Sequence, residues 1–395
     1  MSLMARIGFA PRARTTPARY VQTRAVGRPA PRNSPLDRLW RWIVRAVYQR
    51  PAMSAFAHDI ISAPLPVAVG TEIINICNAD CSFCGYGKGE DGKGGDPRVK
   101  QKLNPEVFTH ALKLFDAAGG GVFTLSPILG EVSVHPRWLD MVREARSFPN
   151  IKGVSCFTNG ILLDRFGSDN ILKSGLTNIS FSTSLTGREA YNRLYGVDKY
   201  DTVVNNLFDL LETNKRLGRP VHITVLLRID KPFAKFFASD IYERLCSLMN
   251  TRDIEILDDA WDGYKGLIKQ EALPIGHKFK DNYPDKSVPC YAMFRKLEIM
   301  LDGTIQACAC RIEPELWGGN ILDHKTLHEA WRDPGLERLR NDWFEGKLQD
   351  CCKTCEHYIP YTNLLRPTEP KRVARHALGR VKRAVLGSTR QPIQF

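Results

Sequence analysis

From residue 72 onward, short apolar runs rich in β-branched and aromatic residues alternate with stretches of helical period, and few folds accommodate that alternation. Six strands are predicted, at residues 72–76, 122–126, 153–157, 178–182, 222–227 and 253–257. Helical patterns separate them. The first helix is well signalled: Asn104 caps it, Pro105 suits its first position, and Val107, Ala111, Leu112 and Phe115 form its apolar stripe. Strands joined through helices run parallel, so six βα units imply an α/β fold, a partial (β/α)6 TIM-like barrel left open. In such folds the loops after the strands meet on one face, where a site is expected.

Past residue 285 the pattern changes. Residues 296–301, the pair Asp302-Gly303 and residues 304–308 read as a β-hairpin with a type I′ turn, and a second, smaller domain is expected to start near Pro289. The chain then divides into an Arg-rich tail (1–50), a barrel (70–285), a small C-terminal domain (286–362) and a basic tail (363–395).

The formal charge of +13 invites a nucleic-acid reading. It is unevenly spread: residues 1–50 hold eleven Arg, no Lys and one acid, Asp37, and residues 366–395 hold eight basic residues and Glu369. The body between is slightly acidic, so attraction to polyanions would act through the tails, and no specific nucleic-acid partner is expected. No run of about 18 apolar residues exists to span a bilayer. In residues 35–48, Leu39, Trp42, Ile43 and Val47 share one helical face flanked by arginines, suited to peripheral membrane contact, to a partner, or to docking on the protein's own body. The Arg-rich start resembles an organellar transit peptide in composition; a solvated bacterial tail is the alternative.

Eleven cysteines in a chain of 395 residues with no signal-peptide pattern suggest metal rather than a disulfide scaffold. Cys77-Asn-Ala-Asp-Cys81-Ser-Phe-Cys84 supplies three thiolates right after the first predicted strand. Structural zinc wants four tetrahedral ligands, and no histidine or fourth cysteine lies nearby. The odd count favours an iron-sulfur cubane with one open iron, zinc or inert thiols remaining as the rival. Six more cysteines follow residue 289: Cys290, Cys308, Cys310, Cys351, Cys352 and Cys355, for which a four-thiolate zinc ribbon is the rival reading.

C-x3-C-x2-C with Phe83 just before the third cysteine resembles the signature of the radical S-adenosylmethionine (SAM) superfamily. The resemblance implies a SAM-binding [4Fe-4S] cluster on Cys77, Cys81 and Cys84, with the Ser82-Phe83 backbone against the adenine. Gly130-Glu131 resembles the family's Gly-Gly-Glu loop, with Leu129 in place of the first glycine, and implies contact with the SAM ammonium. Asn159, in Thr158-Asn159-Gly160, and Ser182 and Ser184, in Ser182-Thr183-Ser184, resemble the ribose-binding and turn positions; Arg228 would pair with the SAM carboxylate. The spacing of Cys290, Gly303, Cys308, Cys352 and Cys355, with Gly319-Asn320-Ile321 and the Trp331 helix, resembles the twitch domain, a shortened SPASM domain. That implies one auxiliary [4Fe-4S] cluster, leaving Cys310 and Cys351 as buried thiols, alternate ligands, or an acid or hydrogen donor.

The resemblance implies an enzyme that reductively cleaves SAM to a 5′-deoxyadenosyl radical and takes a hydrogen atom from substrate, with dehydrogenation of a sugar or aminocyclitol alcohol as the first expectation. Asp258, Asp259, Arg228 and Tyr264 are candidates for handling the hydroxyl proton. Maturation of a ribosomally made peptide or a protein is the second expectation, and a non-catalytic metal module the third. Flavodoxin or ferredoxin is the expected electron donor, and low-potential clusters with free thiols suggest a cytoplasmic setting.

Overall fold

The computed structural model describes residues 19–22, 65–66, 68–86, 96–125, 128–258, 261–279, 286, 290–294, 296–308 and 310–358. The predicted helix at 35–48, most of both tails, Ser126 and Asp259 lie outside these residues.

The described strands are β1 (Arg19–Gln22), β2 (Ala68–Thr71), β3 (Gly121–Leu125), β4 (Ile151–Thr158), β5 (Asn178–Thr183), β6 (His222–Leu227), β7 (Ile254–Asp258), β8 (Lys296–Ile299), β9 (Thr304–Gln306) and β10 (Trp317–Asn320). They form one sheet in the order β1-β7-β6-β5-β4-β3-β2-β8-β9-β10. Every neighbouring pair from β1 to β8 is parallel, and only β8–β9 and β9–β10 are antiparallel. Helices α1 (Pro105–Ala117), α2 (Trp138–Ser147), α3 (Ser168–Leu172), α4 (Arg188–Tyr195), α5 (Tyr200–Arg216), α6 (Ala234–Phe237) and α7 (Asp240–Leu248) make the crossovers. The C-terminal part adds α8 (Leu327–Trp331), α9 (Pro334–Phe344) and α10 (Asp350–Lys353).

α1 forms as its sequence dictates: the Asn104 side chain accepts from Glu106 N, Pro105 stands in the first turn, and Val107, Ala111, Leu112 and Phe115 are buried. Each large apolar side chain so buried contributes about 1.5–3 kcal/mol. The core on this side joins the helix stripes to alternate strand residues, including Phe123, Val154, Cys156, Ile179, Phe181, Val225 and Ile256. The other residues of the same strands, such as Thr124, Ser155, Phe157, Ser180 and Thr224, lie on the inner face and are only partly buried or exposed.

Three expectations change. The first strand ends at Thr71, because residues 73–75 leave the ladder and pair with 101–103 through Leu103 N to Ile73 O (2.9 Å), Asn75 N to Gln101 O (3.3 Å) and the Ile74–Lys102 bridge. The apolar run was legible, but not its partner. In the hairpin, Gly303 has φ +93° and Asp302 is not in the left-handed region, so the turn is not type I′. Bonds from Gly303 N to Met300 O (3.0 Å) and Met300 N to Thr304 O (2.8 Å) enclose a three-residue loop of the type I plus bulge kind. Finally, β8 pairs with β2 in register Gly70↔Glu298, so the hairpin prolongs the barrel sheet.

Candidate active site

The loop after β2 carries Cys77, exposed, and Cys81 and Cys84, half-buried. Its backbone is tied to the end of α4: Asp80 N donates to Tyr195 O (3.0 Å), Ser82 N to Leu194 O (3.0 Å), and Ser82 Oγ to Ala272 O (2.7 Å). Burial raises the Cys81 thiol well above its ordinary value, the neighbouring Cys84 and Cys77 add to this, and Arg228 opposes it. The three sulfurs therefore share one neighbourhood beside a cation. A thiol held neutral in this way gives up its proton when metal binds.

The other expected residues surround this loop. Gly130, at φ +82°, lies so close to the first strand's continuation that a Cβ would stand 2.0 Å from Ile74 O, and only glycine fits. Glu131 is buried, and its carboxylate accepts from Ser133 N (3.0 Å), Ser133 Oγ (2.8 Å), Thr158 Oγ1 (2.7 Å) and Asn159 N (2.7 Å). Burial raises its pKa against the pull of those bonds. Glu131 thus fastens the end of β3 to the end of β4 and keeps unused acceptor capacity on Oε2 alone.

Asn159 Nδ2 donates to Asn78 Oδ1 (2.8 Å) and lies 3.9 Å from Cys77 Sγ, while its Oδ1 accepts from Ile161 N (3.0 Å). Ser182 Oγ is held by Arg228 and by Tyr195 Oη. The Arg228 guanidinium sits 4.8 Å from the Phe83 ring centroid, and Phe83 packs edge-on against Tyr195 and Trp261, each at 5.5 Å. Asn78 Nδ2, Ser184 Oγ and Arg228 Nε include buried polar capacity without a suitably directed partner. Orphaned donors beside three thiols suit a polar cofactor such as SAM, since leaving them unmet would carry a desolvation penalty of about 1–3 kcal/mol each.

The distal cysteines also assemble. Burial pushes the Cys355 thiol up to about 12, with Cys308 and Cys290 adding to it. Cys352 is raised by Cys351, whose Sγ is 4.0 Å away, then by burial, Cys308 and Cys290. Cys310 N donates to Cys308 Sγ at 3.3 Å. Cys310 and Cys351 thus stand beside Cys308 and Cys352. Among the described residues no three His, Cys, Asp or Glu side chains close on one point as in a mononuclear zinc site.

Several supporting residues escaped the sequence reading. Lys286 Nζ donates to the carbonyls of Cys352 (2.8 Å), Lys353 (2.7 Å) and Cys355 (2.9 Å), clamping the C-x2-C turn. Arg311 Nη2 bonds both oxygens of Asp262 at 2.9 Å, with the two side chains 3% and 0% exposed. Asp262 Oδ1 also accepts from Tyr264 N (2.8 Å), which holds Tyr264 at φ +48°. Arg311 lies 4.6 Å from the Tyr264 ring centroid, and a Cβ on Gly85 would stand 2.3 Å from that ring. Tyr86, edge-on to Tyr264 at 5.4 Å, accepts from Ile312 N at 3.0 Å. After burial, the neighbours raising the Tyr264 phenol are Cys310 and then Cys84, one from each cysteine set. Among these, Tyr264 was already a candidate for the hydroxyl proton, Arg311 stands next to Cys310, and Gly85 and Tyr86 directly follow Cys84.

Residues 71–230 match the profile of the radical SAM superfamily, and residues 290–356 match the SPASM iron-sulfur cluster-binding domain. The chain belongs to the radical SAM superfamily. It is an enzyme of that superfamily, and its cofactors are [4Fe-4S] clusters and SAM. The chain is 30% identical over 141 residues to GTP 3′,8-cyclase of Chlorobaculum tepidum, covering 36% of this chain and 40% of that protein. It is 32% identical over 127 residues to molybdenum cofactor biosynthesis protein moc-5 of Caenorhabditis elegans, covering 32% and 20%. These matches span well under half the length of either relative. Among solved structures, SuiB of Streptococcus suis bound to S-adenosylmethionine aligns with TM-score 0.51 and 15% identity over 85% of this chain and 81% of that one. Native anSMEcpe with bound AdoMet aligns with TM-score 0.50 and 15% identity, over 74% and 89%. Both support the fold: a partial TIM-like barrel of radical SAM type with a C-terminal SPASM domain.

Proposed function

We propose that this radical SAM enzyme oxidises a hydroxylated small molecule of the sugar or aminocyclitol kind by two electrons. With SAM and the clusters bound, they would supply a 5′-deoxyadenosyl radical able to take a carbinol hydrogen atom and an auxiliary acceptor for the remaining electron, while a nearby side chain would take the hydroxyl proton. In this reading Cys77, Cys81 and Cys84 hold the first cluster. Cys290, Cys308, Cys352 and Cys355 hold the second. Phe83, Gly130, Glu131, Asn159, Ser182, Ser184 and Arg228 surround SAM.

The observation that carries the proposal is the Tyr264 side chain, whose ring packs against Gly85, the residue after Cys84, and lies 4.6 Å from the guanidinium of Arg311, the residue after Cys310. Removing a second electron from a substrate needs an acceptor near the first site, and a single packed ring between the two cysteine sets supplies that nearness. Asp258, at the end of β7 and 17% exposed, is the proton acceptor, with Lys231 Nζ 2.7 Å from its carboxylate. His277 lies 3.6 Å away, but its Nδ1 accepts from Trp261 Nε1 (3.0 Å) and its Nε2 meets Ile229 O (2.9 Å), so it stays neutral.

Phosphorylated substrates such as GTP fit less well. On the inner face, Arg98 is bound to Glu72 and Asp96, and Lys296 is paired with Glu298. Reduced flavodoxin or ferredoxin would supply the electron inside a reducing cytoplasm. The test is to give reduced, reconstituted enzyme deuterated hexoses or a serine-containing peptide and follow deuterium into 5′-deoxyadenosine. Transfer from hexose supports the proposal; transfer from peptide alone overturns it in favour of peptide maturation.

A further inference from the structure

Phe157 is 45% exposed, although its chain neighbours Cys156 and Thr158 are 1% and 2% exposed. It lies on the inner face of β4, in register with Ser180 of β5, which in turn faces Thr224 of β6. One pleat below, Thr124, Ser155 and Asn178 are in register, and the Thr124 and Ser155 hydroxyls are 3.0 Å apart. One pleat above, about 7 Å along the strands, come Asn159 and Ser182, the residues assigned to SAM. A half-exposed ring therefore sits in a hydroxyl-lined recess directly beneath the cofactor site.

A second observation lies in the lower of these rows. Gln306, Glu298, Gly70, Thr124 and Ser155 are successive register partners. Glu298 is 0% exposed and its Oε1 is engaged by the Lys296 ammonium, while Glu298 Oε2 and Gln306 Oε1 have no hydrogen-bond donor among the described residues. The buried end of the row thus keeps two acceptor oxygens without donors among the described residues.

We propose that this recess is a saccharide subsite, with Phe157 as the platform on which the C–H face of a sugar ring stacks. Ser155, Ser180 and Thr224 meet its hydroxyls. The assignment rests on the oxidative reading above and names its substrate class. A sugar ring presents an apolar C–H face and a rim of hydroxyls, and this surface presents their complements: one aromatic plane and neutral hydroxyls.

The experiment is saturation-transfer NMR on anaerobic, cluster-loaded protein with SAM, using glucose, glucosamine and the tripeptide Gly-Ser-Gly as probes. Hexose C–H signals are expected to gain saturation with the wild-type protein. They should fall about tenfold in Phe157→Ala, the loss expected for one stacking contact, and persist in Phe157→Trp. Ser180→Val should weaken them with the ring intact. Saturation of the tripeptide alone, no saturation of any probe, or equal signals in the Ala and Trp variants would each overturn the assignment. Melting temperatures of the variants identify any loss due to misfolding, and Ser180→Val then decides the outcome. SAM cleavage by the wild-type enzyme, measured in parallel, tests the catalytic reading separately. Cleavage without hexose contact ends the saccharide subsite alone, whereas hexose contact without cleavage ends the oxidative reading alone.

Discussion

Replacing Arg311 by Met tests whether the two cysteine sets are joined through a buried ion pair. The guanidinium meets both Asp262 oxygens at 2.9 Å with almost no solvent access to either side chain. Without it, Asp262 keeps the bond from Tyr264 N at 2.8 Å and, among the described residues, only the distant His357 imidazole at 3.9 Å as a cationic partner. A buried carboxylate stripped of its countercharge costs about 3–5 kcal/mol, and the lost cation–π contact with Tyr264 adds about 1 kcal/mol. In a chain of this size such a loss lowers the melting temperature by roughly 5–7 °C. Asp262 Oδ2 also lies 3.9 Å from Cys355 Sγ, so iron should leave the distal set before the proximal one. The assay is anaerobic thermal unfolding with iron analysis for Arg311→Met, Asp262→Leu and the double variant. The double variant should recover most of the stability, because an apolar pair leaves no orphaned charge. Single variants that melt with wild type, or losses that simply add in the double, would refute this account.

Other outcomes follow from the same geometry. Gly130→Ala forces a Cβ into the left-handed region and to 2.0 Å from Ile74 O, so a loss of about 3 kcal/mol and poor cluster loading at nearby Cys77 are expected by melting and iron content. Burial raises the Glu298 carboxyl, so its neutral form is favoured in the fold and its contribution is lost as pH rises through the folded value. Glu298→Gln should therefore stabilise the protein by about 1–2 kcal/mol near about pH 8. That gain should shrink as pH falls toward the ordinary carboxylate range, as unfolding curves at several pH values would show. Cys77→Ser and Cys352→Ser should each remove roughly half of the iron and leave different residual paramagnetic resonance signals; loss of all iron in both would argue against two separate clusters.

Features built from consecutive residues were readable in advance. Asn104 and Pro105 start α1 because cap and first-turn preferences act within a few residues. Five of the six expected strands overlap described strands because β-branched runs bounded by breakers report on their own backbone. Cys77, Cys81 and Cys84 stand together because one loop carries all three. Even there, the first strand was misplaced, since residues 73–75 have an apolar pattern that does not reveal a partner near residue 102.

What tertiary structure alone decided joins residues far apart in the chain. Thr71 bonds Ile299 across 228 positions, bringing the C-terminal hairpin onto the barrel sheet. Asp262 meets Arg311 across 49 positions, and Tyr264 acquires a cysteine from each set as neighbours. No local preference encodes such meetings: an Asp or Tyr in a loop looks the same whether it faces water or a buried arginine. Propensity, capping and ligand spacing act along the chain, whereas the burial that makes Asp262, Glu298 and Phe157 informative exists only once the sheet has closed around them.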